Sequence, residues 1–374
     1  EVRAEDIVRH TTIYPFDMEA AHFESDNATL NAVWDLCRYT IKATSALGIY
    51  IDGDRERIPY EADAIINQLS HYTTDREYAM GRRSSEYLLD HPTWPTEWIL
   101  QALIIAWNDY LYTGDKRSIE ANYDILKART LQSLRRENGL ISTTDNKVRS
   151  DEFRKMIRFS GKIRDIVDWP RRGEWQHGED DGYQLTDYNT VVNAFHYRAL
   201  SILQQMAQLT NRKAEAEQLK AECEKLHNDF NTYFYDSEKG LYRDGIGSNH
   251  HSLHANHFSL ALGLVPESRT EQILKYIRSR GMVCSVYAAQ FLMEAIYESG
   301  GDDYGLQMLT KQDERSWYNM VRNNSTITYE AWDNKFKPNQ DWNHAWGAAP
   351  ANIIPRRLVG VMPLKAGFEH FSIH

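Results

Sequence analysis

The sequence predicts an all-α fold of stacked helical hairpins, and three observations predict it. Segment after segment carries apolar residues three and four apart, the spacing of one helix face. Strand-like alternation is confined almost entirely to the chain ends. No low-complexity linker or shift in composition divides the 374 residues, so one large domain of short-looped helical pairs is expected.

The elements follow in order. Residues 1–23 read as a short extended segment, alternating between Val8 and Tyr14, in the manner of a linker or the tail of an upstream β domain. Asp26 or Asn27 then caps a helix that carries Leu30, Val33, Trp34 and Cys37 on one face. Helical spacing resumes at 62–72, 76–90 and 98–113. The last ends at Gly114-Asp115, a C-cap and turn. A further helix is expected over 117–136. After a long polar stretch, helices are expected at 187–210, 213–234, 252–262, 267–280 and 285–299. A short one begins at 300, and a last one spans about 345–358 before an extended tail. Residues 241–249 read as a turn-rich link.

Composition narrows the function classes. Net charge is −10 with no basic run, which argues against a nucleic-acid partner. No apolar stretch approaches the length of a membrane span. Cys37, Cys223 and Cys284 are far apart and odd in number, which suits buried thiols rather than a disulfide framework or a zinc site. P-loop, dinucleotide and G-x-S-x-G fingerprints are absent from the sequence. Aromatic residues make up 12%, with ten Trp and 22 Tyr. Such an excess suits either a large core or a cleft lined with rings, on which sugar faces stack.

Three polar loops stand out of the helical background: 51–63, 161–183 and 326–344. Each pairs carboxylates with aromatics. The first reads I-D-G-D-R-E-R-I-P-Y-E-A-D. It has no apolar stripe, its Asp-Gly is turn chemistry, and from Glu61 it places acids in the first turn of a helix. Acids accept hydrogen bonds from hydroxyls, and glycosidic hydrolysis needs two carboxyl groups flanking the bond, one protonated and one ionised. Asp52 and Asp63 would raise the pKa of Glu56, while Arg55 and Arg57 would oppose that. On residues alone, a carbohydrate site and solvated surface loops are evenly weighted. The cluster His250, His251, His254 and His257 offers an i, i+4 metal pair, but no acid or Cys adjoins it in sequence, so packing or polyol contact is the preferred reading.

Taken together, the three loops resemble the catalytic domain of the bacterial α-L-rhamnosidases, glycoside hydrolase family 78. Asp52, Arg55, Glu56, Arg57, Tyr60 and Asp63 match the family's acidic motif, with Asp52-Gly53-Asp54 shorter than its usual opening and Pro59-Tyr60 in place of Gly-Trp. Asp165, Asp168 and Trp169 match a second motif. Tyr329-Glu330-Ala331-Trp332-Asp333 match a third, followed by Asn343, His344 and Gly347. The likeness runs from about Phe23 to Phe371. It implies an (α/α)₆ toroid over 24–360, with 361–374 opening a C-terminal β domain. It implies Glu56 as general acid and Glu330 as general base of an inverting hydrolysis that releases α-L-rhamnose from a glycan or glycoside. Asp52, Arg55, Tyr60, Asp63, Asp168 and His344 would hold the sugar, and Trp169 or Trp332 would cover its methyl group. Trp94, Trp98, Trp175 and Tyr183 are further candidates for the cleft wall. No metal or cofactor is implied, and a periplasmic or secreted place is favoured. Related toroids serve other sugar hydrolases, such as glucuronyl hydrolases. A helical carbohydrate-binding module without catalysis is the contrasting reading.

Overall fold

Helices that the sequence makes apolar on nearly every side close into an inner ring. The computed structural model describes residues 3–45, 47–144, 146–171 and 178–373. Its inner helices are α2 (Glu61–Thr74), α4 (Thr96–Thr113), α7 (Thr190–Leu209), α9 (Leu253–Ala261), α11 (Val286–Glu298) and α14 (Pro350–Ile353). Each packs on the next, and α14 packs back on α2, so the ring closes. Six outer helices lie around it: α1 (Ala28–Thr44), α3 (Ala79–Asp90), α5 (Arg117–Arg129), α8 (Lys213–Phe234), α10 (Glu267–Arg280) and α12 (Asp302–Thr310). This is the (α/α)₆ toroid. The two layers differ as their sequences differ. Helix α11 buries every residue from Val286 to Tyr297. Helix α8 buries one stripe, Ala216, Leu219, Leu226, Phe230 and Phe234, and gives its charged face to water.

Local chemistry sets the helix ends. Asn27 caps α1 by accepting from the Leu30 N–H. Ser252 and Ser285 cap α9 and α11 in the same way. Gly114 closes α4 at φ 72°, a left-handed conformation open to glycine without strain.

The structure corrects five details. The expected helix over 117–136 stops at Arg129, because buried Leu131 turns left-handed at φ 58°. The polar stretch after it holds a short helix, α6 (Asp151–Met156), and the segment from 300 holds two helices, α12 and then α13 (Trp317–Arg322). The link at 241–249 contributes to a two-stranded antiparallel ribbon, β1 (Tyr235–Asp236) with β2 (Leu241–Tyr242). The last helix breaks into a 3₁₀ turn Ala345–Ala348, α14 and a π turn Ile354–Leu358. Pro350 and Pro355 each lack the N–H that would continue an α-helical ladder. In the tail, β3 (Met362–Pro363) pairs antiparallel with β4 (Phe371–Ser372).

The inner ring positions the site. The loops that carry polar motifs precede α2, α7 and the final helical segment, so they meet at the mouth where inner helices begin.

Candidate active site

The first loop is pinned by its own acid. The Ile58 N–H donates to Asp52 Oδ1 at 3.0 Å, while the Asp52 N–H donates to the Ile58 carbonyl at 2.8 Å. Gly53 then pairs backbone to backbone with His344 of the third loop. A Cβ at Gly53 would stand 2.4 Å from Asp341 Oδ2 and 2.7 Å from the Asn343 carbonyl, so only glycine permits this approach. The shortened Asp52-Gly53-Asp54 is therefore where the first and third loops touch.

That contact brings together carboxylates more than 270 positions apart in sequence. Arg55 lies between them, with Nη2 at 3.3 Å from Glu56 Oε1 and Nη1 at 3.5 Å from Glu330 Oε2. Its backbone N–H donates to Asp341 Oδ1, and Nη1 also donates to the Asn339 carbonyl at 2.6 Å. Glu56 is the accessible partner, 40% exposed at its side chain, and Glu330 the buried one, at 3%. The Tyr60 hydroxyl donates to Glu56 Oε2 at 2.8 Å, and its ring meets Trp98 edge-on at 5.4 Å. Glu330 Oε2 accepts the Asp341 N–H at 2.9 Å and stands 3.1 Å from Lys337 Nζ.

Beneath them, His344 Nε2 lies 2.7 Å from Asp63 Oδ1 in the first turn of α2, and Nδ1 lies 3.7 Å from Asp341 Oδ2. Burial alone would strip the imidazole of its proton, but Asp63 and Asp341 outweigh it and push the pKa up to about 10. The Asp52 carboxyl is raised to about 7, first by burial and then by the Asp63 charge.

These groups line one cavity, with Asp52, Arg55, Glu56, Tyr60, Asp63, Glu330 and His344 on its polar side. Trp94, Trp98, Trp169 and Trp346 supply the apolar side. A concave apolar pocket with a few convergent polar groups is the usual form of a small-ligand site. The second loop is aimed by Glu97 in the first turn of α4. Its buried carboxylate accepts the Ile166 and Val167 N–H groups just before Trp169.

Two residues expected at the sugar lie elsewhere. Asp168 is fully buried and committed to protein partners: His254 Nε2 at 2.6 Å, the Ser285 N–H at 2.9 Å, the Ser285 hydroxyl and the Trp169 N–H. Trp332 is also fully buried. Its indole N–H donates to the Cys284 carbonyl, and its ring packs edge-on against Trp317. Both stand behind the wall, since neither lines the cavity. Tyr183 points into the core, where its hydroxyl bonds the Asp244 carbonyl, and Trp175 falls outside the described residues. Trp346, Asp341 and Lys337 escaped sequence reasoning. Asp341 and Trp346 flank the Asn343-His344 pair and were open to nomination with it, but a buried Lys337 in K-F-K carries no such signal.

Each clustered histidine has its own partner: Asp244 for His250, Asp236 for His251, Asp168 for His254 and the Leu253 carbonyl for His257. That matches packing rather than a shared metal. Among the described residues the acids and histidine that converge as metal ligands would are Glu330, Asp341 and His344. His344 Nε2 is already engaged by Asp63, and the Lys337 ammonium already sits against Glu330, so this donor set fits an ion-pair network better than a metal.

Tyr60→Phe should keep the ring against Trp98 and remove the hydroxyl from Glu56. Turnover is expected to fall about ten- to a hundredfold, the worth of a hydrogen bond to a charged group. Steady-state kinetics on the substrate proposed below will show whether kcat falls with KM nearly constant.

Comparison with known proteins agrees with the fold. Residues 18–358 match the family described as the bacterial alpha-L-rhamnosidase 6 hairpin glycosidase domain. The alpha-L-rhamnosidase of Alteromonas sp. (strain LOR) is 20% identical over 285 residues, 73% of this chain. That of Formosa agariphila is 22% identical over 280 residues, 72% of this chain. The chain spans 28% of the length of each of these two relatives. Among solved structures, the family 78 rhamnosidase of Bacillus sp. GL1 superposes with a TM-score of 0.79 at 19% identity, covering 96% of this chain and 38% of its own. The rhamnosidase of Klebsiella oxytoca with rhamnose bound gives 0.73 at 14% identity, covering 90% and 65%. With a family match over nearly its whole length, the chain belongs to the bacterial alpha-L-rhamnosidase six-hairpin glycosidase domains.

Proposed function

We propose that this domain hydrolyses terminal α-L-rhamnosyl bonds with inversion, with Glu56 protonating the leaving oxygen and Glu330 activating water on the opposite face of the sugar. The observation that carries the reading is Arg55, which touches both carboxylates within one cavity. Their nearest oxygens are no farther apart than two such contacts and the width of one guanidinium. That bound admits the roughly 6.5–9.5 Å of an inverting pair and equally the roughly 5–5.5 Å of a retaining one, so the inverting assignment comes from the family resemblance and not from this distance. The accessible Glu56 suits a group that meets the aglycone, and the buried Glu330 suits one that handles a single water. Asp52, Asp63 and His344 offer acceptors and donors to the ring hydroxyls. The tryptophans cover the apolar face, including the methyl group of a 6-deoxy sugar.

The stereochemistry is open to direct test. Proton NMR of early hydrolysis of an aryl α-L-rhamnoside should show β-L-rhamnose before mutarotation, and α-L-rhamnose appearing first would overturn the inverting assignment. A panel of aryl glycosides should leave uronides and hexosides uncut.

One observation favours a second assignment of the acid. Asp52 lines the same cavity, and its carboxyl is raised to about 7, the range in which a group can both hold and give a proton at neutral pH. Leaving-group dependence separates the two. The variant that lacks the true acid, Glu56→Gln or Asp52→Asn, will cleave nitrophenyl rhamnosides far better than alkyl ones, and the other will show no such bias.

A further inference from the structure

Glu330 is held in an unusual way for a carboxylate that has to take a proton. Its Oε2 takes the Asp341 N–H at 2.9 Å and stands 3.1 Å from Lys337 Nζ and 3.5 Å from Arg55 Nη1. One edge of the carboxylate is thus gripped from three sides at the wall of the cavity. Of the two cations, Arg55 is more than a third exposed and shared with Glu56. Lys337 is 1% exposed, and its ammonium also donates to Asn339 Oδ1 at 3.1 Å. A lysine without water is rarely left in a protein interior unless it is paired, and here its charged partner is the residue read above as the base.

We propose that Lys337 is a positioning residue for Glu330, holding its carboxylate by Oε2 at the cavity wall and setting a positive charge 3.1 Å from it. The inference rests on the reading of Glu330 as general base. The charges that face Glu330 come from every neighbouring element. Arg55 comes from the first loop, Asp63 from α2, and Lys337, Asp341 and His344 from the third loop. With Lys337 removed, the carboxylate keeps Arg55 and His344 but faces Asp341 and Asp63 with one cation fewer. Two like charges nearby then favour its protonated form. Burial works against the ammonium, and the Glu330 charge opposes that loss.

The test is the pH dependence of kcat/KM on an aryl α-L-rhamnoside. In Lys337→Met the acid limb, where the base must be ionised, is expected to move up by about 1–3 pH units. Its pH-independent kcat should fall about tenfold, because the carboxylate loses one of its three anchors, with little change in KM. Lys337→Arg keeps the charge and should keep the limb where the parent has it. Added to Glu330→Gln, Lys337→Met should cost no further turnover, since the lysine acts through the carboxylate. A folded Lys337→Met with the parental acid limb would overturn the proposal. If that variant does not fold, a limb displaced in Lys337→Arg would overturn it instead. Parental turnover in Glu330→Gln would bring down the base assignment and this role with it. An inactive Glu330→Gln beside an unmoved limb would bring down the lysine's role alone.

Discussion

Glu330→Gln is expected to lower kcat on an aryl α-L-rhamnoside by about two to four orders of magnitude, the range attributed to a positioned general base. The same change should weaken the fold. It removes the negative partner of a buried lysine, and breaking such a pair from one side costs about 3–5 kcal/mol. Glutamine keeps the shape and offers Lys337 a carbonyl oxygen, so the loss should lie at or below the lower end. Glu56→Gln provides the contrast. Its side chain is 40% exposed, so urea unfolding should be nearly unchanged while activity on poor leaving groups collapses. Activity lost at both positions but stability lost at only one would separate the chemical from the structural share of each carboxylate. Parental turnover in both variants would dismiss the two-carboxylate mechanism.

The second large effect is one of stability. Asp168→Asn should destabilise the protein by about 3–5 kcal/mol and leave KM for the rhamnoside close to the parent value. Asp168 bonds His254 of α9 and both the N–H and hydroxyl of Ser285, the cap of α11. One side chain thus ties the second loop to two inner helices. Burial lowers the His254 pKa, but the Asp168 carboxylate more than reverses this and raises it. For a histidine raised in the folded state, the linked stability is complete below the unfolded value near about 6.5. It is given up as pH climbs through the raised value. The gap between parent and Asp168→Asn should therefore be widest in mild acid and should narrow toward alkaline pH, as read from urea midpoints. A variant of parental stability with a much higher KM would restore Asp168 to the sugar.

The contrast between Asp168 and Trp169 shows where sequence reading ends. A motif locates a stretch of chain, but in irregular backbone adjacent side chains point to opposite sides. Trp169 faces the cavity and Asp168 faces the core. In the third loop Glu330 reaches the cavity while Trp332, two positions on, is sealed against Trp317. Regular elements were more legible. Helix α1, with Leu30, Val33, Trp34 and Cys37 in register behind its Asn27 cap, could be read directly, and so could the Gly114 stop of α4. Helix α6 was hidden because it buries only Phe153 of its six residues, too little for a period. Lys337 was hidden for another reason. A lysine between Phe336 and Pro338 reads as a solvated charge, and only the closed fold shows its ammonium enclosed beside an acid.

Ring closure has a consequence for how activity is acquired. The packing of α14 on α2 joins residues from nearly opposite ends of the sequence, and Gly53 meets His344 across the same seam. A chain emerging from the ribosome can form its early hairpins one at a time, since each draws on nearby residues. It cannot bring Glu56 and Glu330 together until the third loop and the last helical turns have been made. The proposed hydrolysis therefore reports on a completed circle rather than on helix content, and a nascent or truncated chain can be richly helical yet inert.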